Sequence, residues 1–395
     1  MYQVLGGLSP QYHTLGLGKT MGRRTKRTRA QQQSAPSLPP LTELPAFEDL
    51  RPSEQQLAAY EAESGEGSQL GCVVRLDRGF PAVLTAHEAF RAEFAARLTK
   101  GDNSRVAVGD WVSVRSPQGH DMGIIERILP RTSDIARWKG GNRGERQTLA
   151  ANVDIVLVVQ ALEEWRVSSG RITRSAVVAK DCGARVAVVL TKADGADAGL
   201  VTSSVRLVRE VLGESVPVVV VASLSTDTEH PELRASAESA GAAWGVESVR
   251  ALVPAGEVGI MLGPSGVGKS TLLNALLGRE ALETGAVRES DGVGRHTTVT
   301  RRMVAIPEAG TIVDAPGLRT LQMVGHERGL AMVFPDIADA ARSCRFRNCT
   351  HTHEPGCEVR AQFGDPESSP RLASYLALAS EMRASAKTLD PDVVL

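Results

Sequence analysis

Residues Glu257 to Leu276 read EVGIMLGPSGVGKSTLLNAL. Val258 to Leu262 is an apolar run of strand length, and it empties into Gly263-Pro264-Ser265-Gly266-Val267-Gly268-Lys269-Ser270. That octet meets the phosphate-loop pattern G-x-x-x-x-G-K-[ST] at every fixed position. Glycines let successive backbone N–H groups turn inward around an anion, while the helix that follows points its positive end at the same place. Lys269 can then reach the β- and γ-phosphates, and Ser270 can place its hydroxyl on a Mg²⁺ ion bridging them. Thr271 leads into a helix whose Leu272, Leu273, Leu276 and Leu277 fall at core spacing.

A phosphate loop specifies a nucleotide without saying which. Downstream, Ile312 and Val313 lead into Asp314-Ala315-Pro316-Gly317, a D-x-x-G at a strand end. Asp314 can hold Mg²⁺ through water there, and Gly317 can sense the γ-phosphate. Between the two motifs, Gly294-Arg295-His296-Thr297-Thr298-Val299-Thr300 offers hydroxyls to complete the Mg²⁺ shell. Upstream, the strand Arg185 to Leu190 ends in Thr191-Lys192-Ala193-Asp194, which resembles the guanine-reading [NT]-K-x-D of GTPases. In that motif the aspartate accepts two hydrogen bonds from the base. Ala222-Ser223, at a further strand end, matches only loosely the Ser-Ala element that backs a guanine ring.

The order of these motifs is unusual, because the guanine-reading element precedes the phosphate loop instead of following it. The chain resembles the circularly permuted, ribosome-small-subunit-dependent GTPases of the RsgA/YjeQ family. VAVGDWV (Val106 to Val112), ILPR (Ile128 to Arg131), LAANVD (Leu149 to Asp154), TKAD, GPSGVGKST, GRHTT and a late Cys/His cluster carry the resemblance. It implies an α/β fold: a circularly permuted P-loop GTPase domain, an N-terminal OB-fold barrel that binds RNA and a small C-terminal zinc-binding helical domain. It also implies GTP hydrolysis to GDP and phosphate on the small ribosomal subunit during late maturation. The glutamine that orients water in Ras-type enzymes is replaced by Leu318. The resemblance gives that task to His296, with Lys269 as the second catalytic group. A nucleotide-gated RNA-binding assembly factor with little turnover is the alternative function.

At 395 residues and 42% hydrophobic content the chain has room for two or three domains. No run approaches about 18 apolar residues and no charged start precedes an apolar segment, so neither a membrane span nor a signal peptide is expected. A cytoplasmic monomer is expected, and a net charge of −1 gives no general polyanion signal. Six of the eleven residues from Lys19 to Arg29 are basic, and that run reads either as an RNA grip or as a solvated tail.

The expected division is a basic, Pro-rich and disordered extension over 1–68, the barrel over 69–148, the GTPase over 149–323 and the zinc domain over 324–395. Short apolar runs at Cys72 to Leu76, Pro81 to Leu84, Val106 to Val114 and Gly123 to Leu129 fit a small β-barrel. Arg75, Arg115, Arg137, Trp138, Lys139 and Arg143 are candidate rRNA contacts. The glycine-rich stretch Arg137 to Arg146 reads either as a loop that stacks on bases or as a plain linker. Val153 to Val159 then opens an alternation of strands and helices that calls for a mostly parallel, doubly wound sheet.

Cys344-x4-Cys349-x-His351-x5-Cys357 holds three of the five cysteines. Three thiolates and one imidazole suit one structural, four-coordinate Zn²⁺ per chain, with His353 as a competitor for His351.

Overall fold

The computed structural model describes residues 44–77, 80–99, 106–117, 119–120, 122–139, 145–163, 167–222, 230–279, 301–315 and 323–389. The first helix, α1 (Glu54–Glu63), is closed by a capping box: Ser53 Oγ accepts from the Gln56 N–H, and Gln56 Oε1 accepts from the Ser53 N–H. Composition assigns residues 1–68 to a loose extension. Residues 44–63 instead pack on the barrel, with Phe47 edge-on to Trp111 at 5.7 Å and Leu50 buried.

Strands β1 (Ser68–Asp77), β2 (Phe80–Thr85), β3 (Ala89–Phe94), β4 (Trp111–Arg115) and β5 (Gly123–Ile128) close into a barrel, with the short helix α2 (Ala96–Thr99) after β3. β1 pairs antiparallel with both β2 and β4, β2 with β3, and β4 with β5, while β3 runs parallel to β5. This closed five-stranded arrangement is the expected OB-type barrel. Val73, Val83, Ala92, Val112, Val114 and Ile125 fill its interior. The run Val106 to Val114 becomes strand only from Trp111. Before it the chain turns, and the Asp110 carboxylate accepts from the Ala107 N–H at 2.7 Å.

Arg137 to Arg146 is neither a loop nor a plain linker where it is described. β6 (Asp134–Lys139) and β7 (Glu145–Ala151) pair antiparallel, with Trp138 opposite Arg146 and Lys139 opposite Glu145. Arg143 lies outside the described residues.

The α/β domain follows as β8 (Ile155–Ala161), α3 (Ser169–Asp181), β9 (Arg185–Thr191), α4 (Ala198–Leu212), β10 (Val218–Val220), α5 (Pro231–Ser239), β11 (Ala243–Trp244), α6 (Val246–Arg250), β12 (Val258–Leu262), α7 (Lys269–Leu277), β13 (Arg301–Ala305) and β14 (Thr311–Asp314). The parallel strands lie in the order β11-β10-β9-β8-β12-β14, with β13 antiparallel beside β14. Ile155 to Val159 is buried without a break, as a central parallel strand covered by helices on both faces must be. β13 also pairs with β1, placing Arg302 opposite Arg75 and Arg301 opposite Leu76. The barrel and the α/β sheet therefore share one hydrogen-bonded sheet.

Among the described residues four helices follow: α8 (Glu327–Val333), α9 (Pro335–Arg342), α10 (Glu358–Phe363) and α11 (Pro370–Leu389). α8 lies on α3 so closely that a Cβ at Gly329 would stand 2.2 Å from the Val177 carbonyl oxygen. Asp181 holds the contact, accepting from the Gly329 N–H at 3.0 Å and lying 2.8 Å from His326 Nδ1. Arg371 of α11 stacks over Phe334, grips both Asp336 oxygens and donates to the Val211 carbonyl at the end of α4. Among the described residues no helix is long and apolar enough to cross a membrane.

Candidate functional site

The carboxyl ends of β8, β9, β10, β12 and β14 form one edge of the sheet, the edge where parallel α/β folds bind ligands. At the end of β12, Gly263 passes so near β8 that a Cβ there would stand 2.5 Å from the Val159 carbonyl oxygen. Gly266 and Gly268 have φ of 81° and 90°, a region that side chains oppose, so the phosphate loop's curvature depends on them. α7 begins at Lys269, and Leu272, Leu273 and Leu276 bury its inner face. Lys269 Nζ lies over the loop, donating to the carbonyls of Gly263 and Pro264, each at 2.7 Å. Ser265 and Ser270 are exposed, Val267 is buried, and Thr271 is half-buried.

Thr191 ends β9 completely buried, and its hydroxyl donates to the Val267 carbonyl at 2.6 Å. One bond thus joins TKAD to the phosphate loop, across 76 residues of chain. Lys192 takes a left-handed conformation, φ 60°, which turns the chain sharply out of the strand. Ala193 is buried and donates its N–H to the Val221 carbonyl, leaving Asp194 exposed on the turn. The Lys192 ammonium forms an ion pair with Glu163, just beyond β8. Glu163 is a neighbour of the TKAD turn that motif reading passes over. Its only signal in the sequence is a charge directly after a buried apolar strand.

Asp314 closes β14 beside β12, half-buried, and Ala222 stands 8% exposed after β10. Ser223, His296, Thr297, Thr298 and Gly317 lie outside the described residues.

A second cluster lies in the C-terminal helices, on α9, α10 and the loop between them. Cys344 follows α9, Cys357 caps α10, and Cys349 and His351 come from the loop between them. The four ligand atoms all lie within 4.8 Å of one another. His351 Nδ1 is 3.5 Å from the sulfurs of both Cys344 and Cys357, and those sulfurs are 4.0 Å apart. A tetrahedral ion with metal–sulfur bonds of about 2.3 Å and metal–nitrogen bonds of about 2.0 Å separates its ligands by roughly 3.5–3.8 Å, so the residues fit such an ion. Burial opposes ionisation of the Cys344 thiol, but backbone N–H groups of Val359 and Glu358 outweigh it and hold the thiol below its ordinary range. Burial pushes Cys349 up to about 12, a cost that a bound cation would reverse. His353, the competitor, is exposed and bonded to Thr352. Glu354 braces the loop, accepting from the Thr350 N–H and hydroxyl and from the N–H groups of Thr352 and His353. Tyr375 of α11 covers His351, with ring centroids 6.1 Å apart.

The fold has known counterparts. YjeQ from Thermotoga maritima matches with a TM-score of 0.56 at 23% identity, covering 80% of this chain and 99% of that one. YloQ, described as a circularly permuted GTPase, matches with a TM-score of 0.54 at 18% identity, covering 81% and 96%. In sequence, the family model RsgA GTPase matches residues 128–324. A Streptomyces avermitilis protein named small ribosomal subunit biogenesis GTPase RsgA is 39% identical over 338 residues, 85% of each chain. A Leptospira interrogans protein of the same name is 33% identical over 330 residues, covering 83% of this chain and 86% of that one. With the permuted motif order, the shared sheet edge and relatives aligned along most of their length, the chain belongs to the RsgA GTPase family.

Proposed function

We propose that this chain hydrolyses GTP to GDP and phosphate while bound to the small ribosomal subunit, late in that subunit's maturation. The observation that carries the reading is the Thr191–Val267 bond, which holds a base-reading loop and a phosphate loop at a fixed separation. Asp194, exposed on its turn, would accept from the guanine edge. Backbone N–H groups of Ser265 to Thr271 and the Lys269 ammonium would hold the phosphates, with Gly263 and Pro264 shaping the loop's entry. Ser270, Thr297, Thr298 and Asp314 would hold Mg²⁺, which when bound neutralises charge between the β- and γ-phosphates. His296 would aim the attacking water, since Leu318 cannot form a hydrogen bond, and Gly317 would sense the γ-phosphate. Ala222 and Ser223 would back the base.

Cys344, Cys349, His351 and Cys357 would hold one Zn²⁺ with a structural role. The barrel, taken over 69–148 with residues 44–63 packed on it, would bind rRNA, the GTPase would span 149–323 and the zinc module 324–395, and the protein would act as a cytoplasmic monomer. Arg115 is tied to Glu126 at 3.1 Å, so it has a partner to release before it can serve a phosphate. Phosphate release from GTP and from ATP, each with and without small subunits, tests the reading. GTP-specific release that rises on adding subunits supports it. Equal use of ATP, or a rate that subunits leave unchanged, overturns it.

A further inference from the structure

Three of the stretches that carry the resemblance, VAVGDWV, ILPR and LAANVD, lie away from the strand ends that form the nucleotide edge. They meet instead at the junction of barrel and α/β sheet, around two amides. Gln56 of α1 is 1% exposed, and both ends of its amide are bonded. Its oxygen accepts from the Ser53 N–H, and its nitrogen donates to the Pro130 carbonyl and to Asn152 Oδ1, each at 2.9 Å. Asn152 has φ 55° and spends every polar atom of its side chain at the junction. Its Oδ1 also accepts from the Thr132 N–H at 2.9 Å, and its Nδ2 donates to the Gly109 carbonyl at 2.8 Å. Beside it, Arg131 grips both oxygens of the buried Asp110 at 2.7 and 2.8 Å and donates to Thr148.

The contacts continue toward the phosphate loop. Two residues past Asn152, Asp154 is bonded to Val258 through its backbone and its carboxylate, and Val258 opens the strand that ends at Gly263. From the other side, Arg51 lies against Gly256 closely enough that a Cβ there would meet its Nε at 2.5 Å. Residues 47–56 therefore touch the barrel at Trp111, the junction at Asn152 and the α/β domain at Gly256.

We infer that α1 is a latch across this junction, and that Gln56 is a positioning residue through which occupation of the barrel reaches the nucleotide site. A partly buried polar network of this kind, centred on the buried Gln56, contributes less to net stability than to uniqueness, because other arrangements leave Gln56 without partners. The β1–β13 seam joins barrel and sheet along one edge; the four hydrogen bonds made by these two amides to Pro130, Thr132, Gly109 and each other hold the junction at a second place. The part concerning the nucleotide site rests on the functional reading above, and the latch itself does not.

The test uses the full chain carrying Gln56→Met, which keeps the side-chain length and removes the donors. Asn152→Gly is the second variant: it removes the other amide and relieves the left-handed φ, so the fold is retained. Spin labels at Phe80 on the barrel and Ser239 on α5, both exposed, report the barrel-to-sheet distance. The unmutated chain should give one narrow distance, and each variant a broadened one. The double variant should be no broader than either single, since both break the same latch. Unstimulated turnover and GTP affinity should stay within about twofold, while stimulation by small subunits falls about tenfold, the scale of a coupling between sites. A narrow distance in both variants, or full stimulation in both, overturns the inference. If subunits fail to stimulate the unmutated chain, the functional reading fails, and the distance distributions decide the latch alone.

Discussion

Asp194 is a carboxylate left exposed on a turn whose neighbours Thr191 and Ala193 are both buried. Two charge-assisted bonds from guanine, each contributing about 1.5–3 kcal/mol, would rest on it. Asp194→Asn should therefore weaken GTP binding by more than tenfold and shift preference toward xanthosine triphosphate, as competitive titration would show. Thr191→Val should act differently. It strands the Val267 carbonyl at a cost of about 1–3 kcal/mol and loosens the phosphate loop, so GDP and GTP affinities should fall together. A mutant that loses only GTP affinity would point to a γ-phosphate role instead. Lys269→Ala should lose both binding and turnover, whereas His296→Ala should keep GTP affinity within a few-fold and lose most subunit-stimulated turnover. Rapid-mixing assays with saturating subunits separate the two, and wild-type turnover in His296→Ala would remove the histidine from the chemistry. Motif residues such as Gly268 and Asp194 are legible in sequence because their chemistry fixes their identity and spacing. Glu163 and Gln56 act through contacts with residues far away in the chain, Lys192 for the first and Pro130 and Asn152 for the second, and no local pattern records that.

At the scale of single elements, legibility follows the hydrophobic pattern. β8, β9 and β12 are buried on both faces and show as unbroken apolar runs. β3 reads AFRAEF, with only Ala92 fully buried, so its alternation is too weak to see. α1 reads EQQLAAYEAE and buries a glutamine rather than an apolar stripe, so it passes for tail. The metal loop shows its ligand spacing but hides its bracing by Glu354. If the cluster holds zinc as proposed, its removal by chelation or by Cys349→Ser should unfold the loop and short helix over about 344–363, leave α11 on the main core and leave nucleotide binding intact, because so small a loop folds only with its ion. Metal analysis and proteolysis of the C-terminal part check this. In α11, Arg371 overcomes the opposing effect of burial and holds Asp336 below the ordinary aspartate range. The stability from that pair is complete above the unfolded value of about 3.9 and is lost as pH falls through the lower folded value. Asp336→Asn should flatten this acid-side loss in thermal melts. An unchanged melt profile would mean the pair is fully screened.

For the whole molecule, the seam between β1 and β13 is a main-chain joint between the barrel and the sheet. Along β13, Met303 belongs to the core on one side of the sheet and Val304 to the core on the other. The strand is therefore keyed on both faces and at both edges, with β14 on one flank and β1 on the other. Substitutions leave those main-chain bonds in place. A one-residue deletion would turn every following side chain to the wrong face and slide the barrel's register by a step. Variation along this strand should thus be confined to apolar exchange at Met303 and Val304, freer at the partly exposed Arg301, Arg302 and Ala305, and rigid in length: a chain can respell those positions, but it cannot shorten the strand without unseating the barrel.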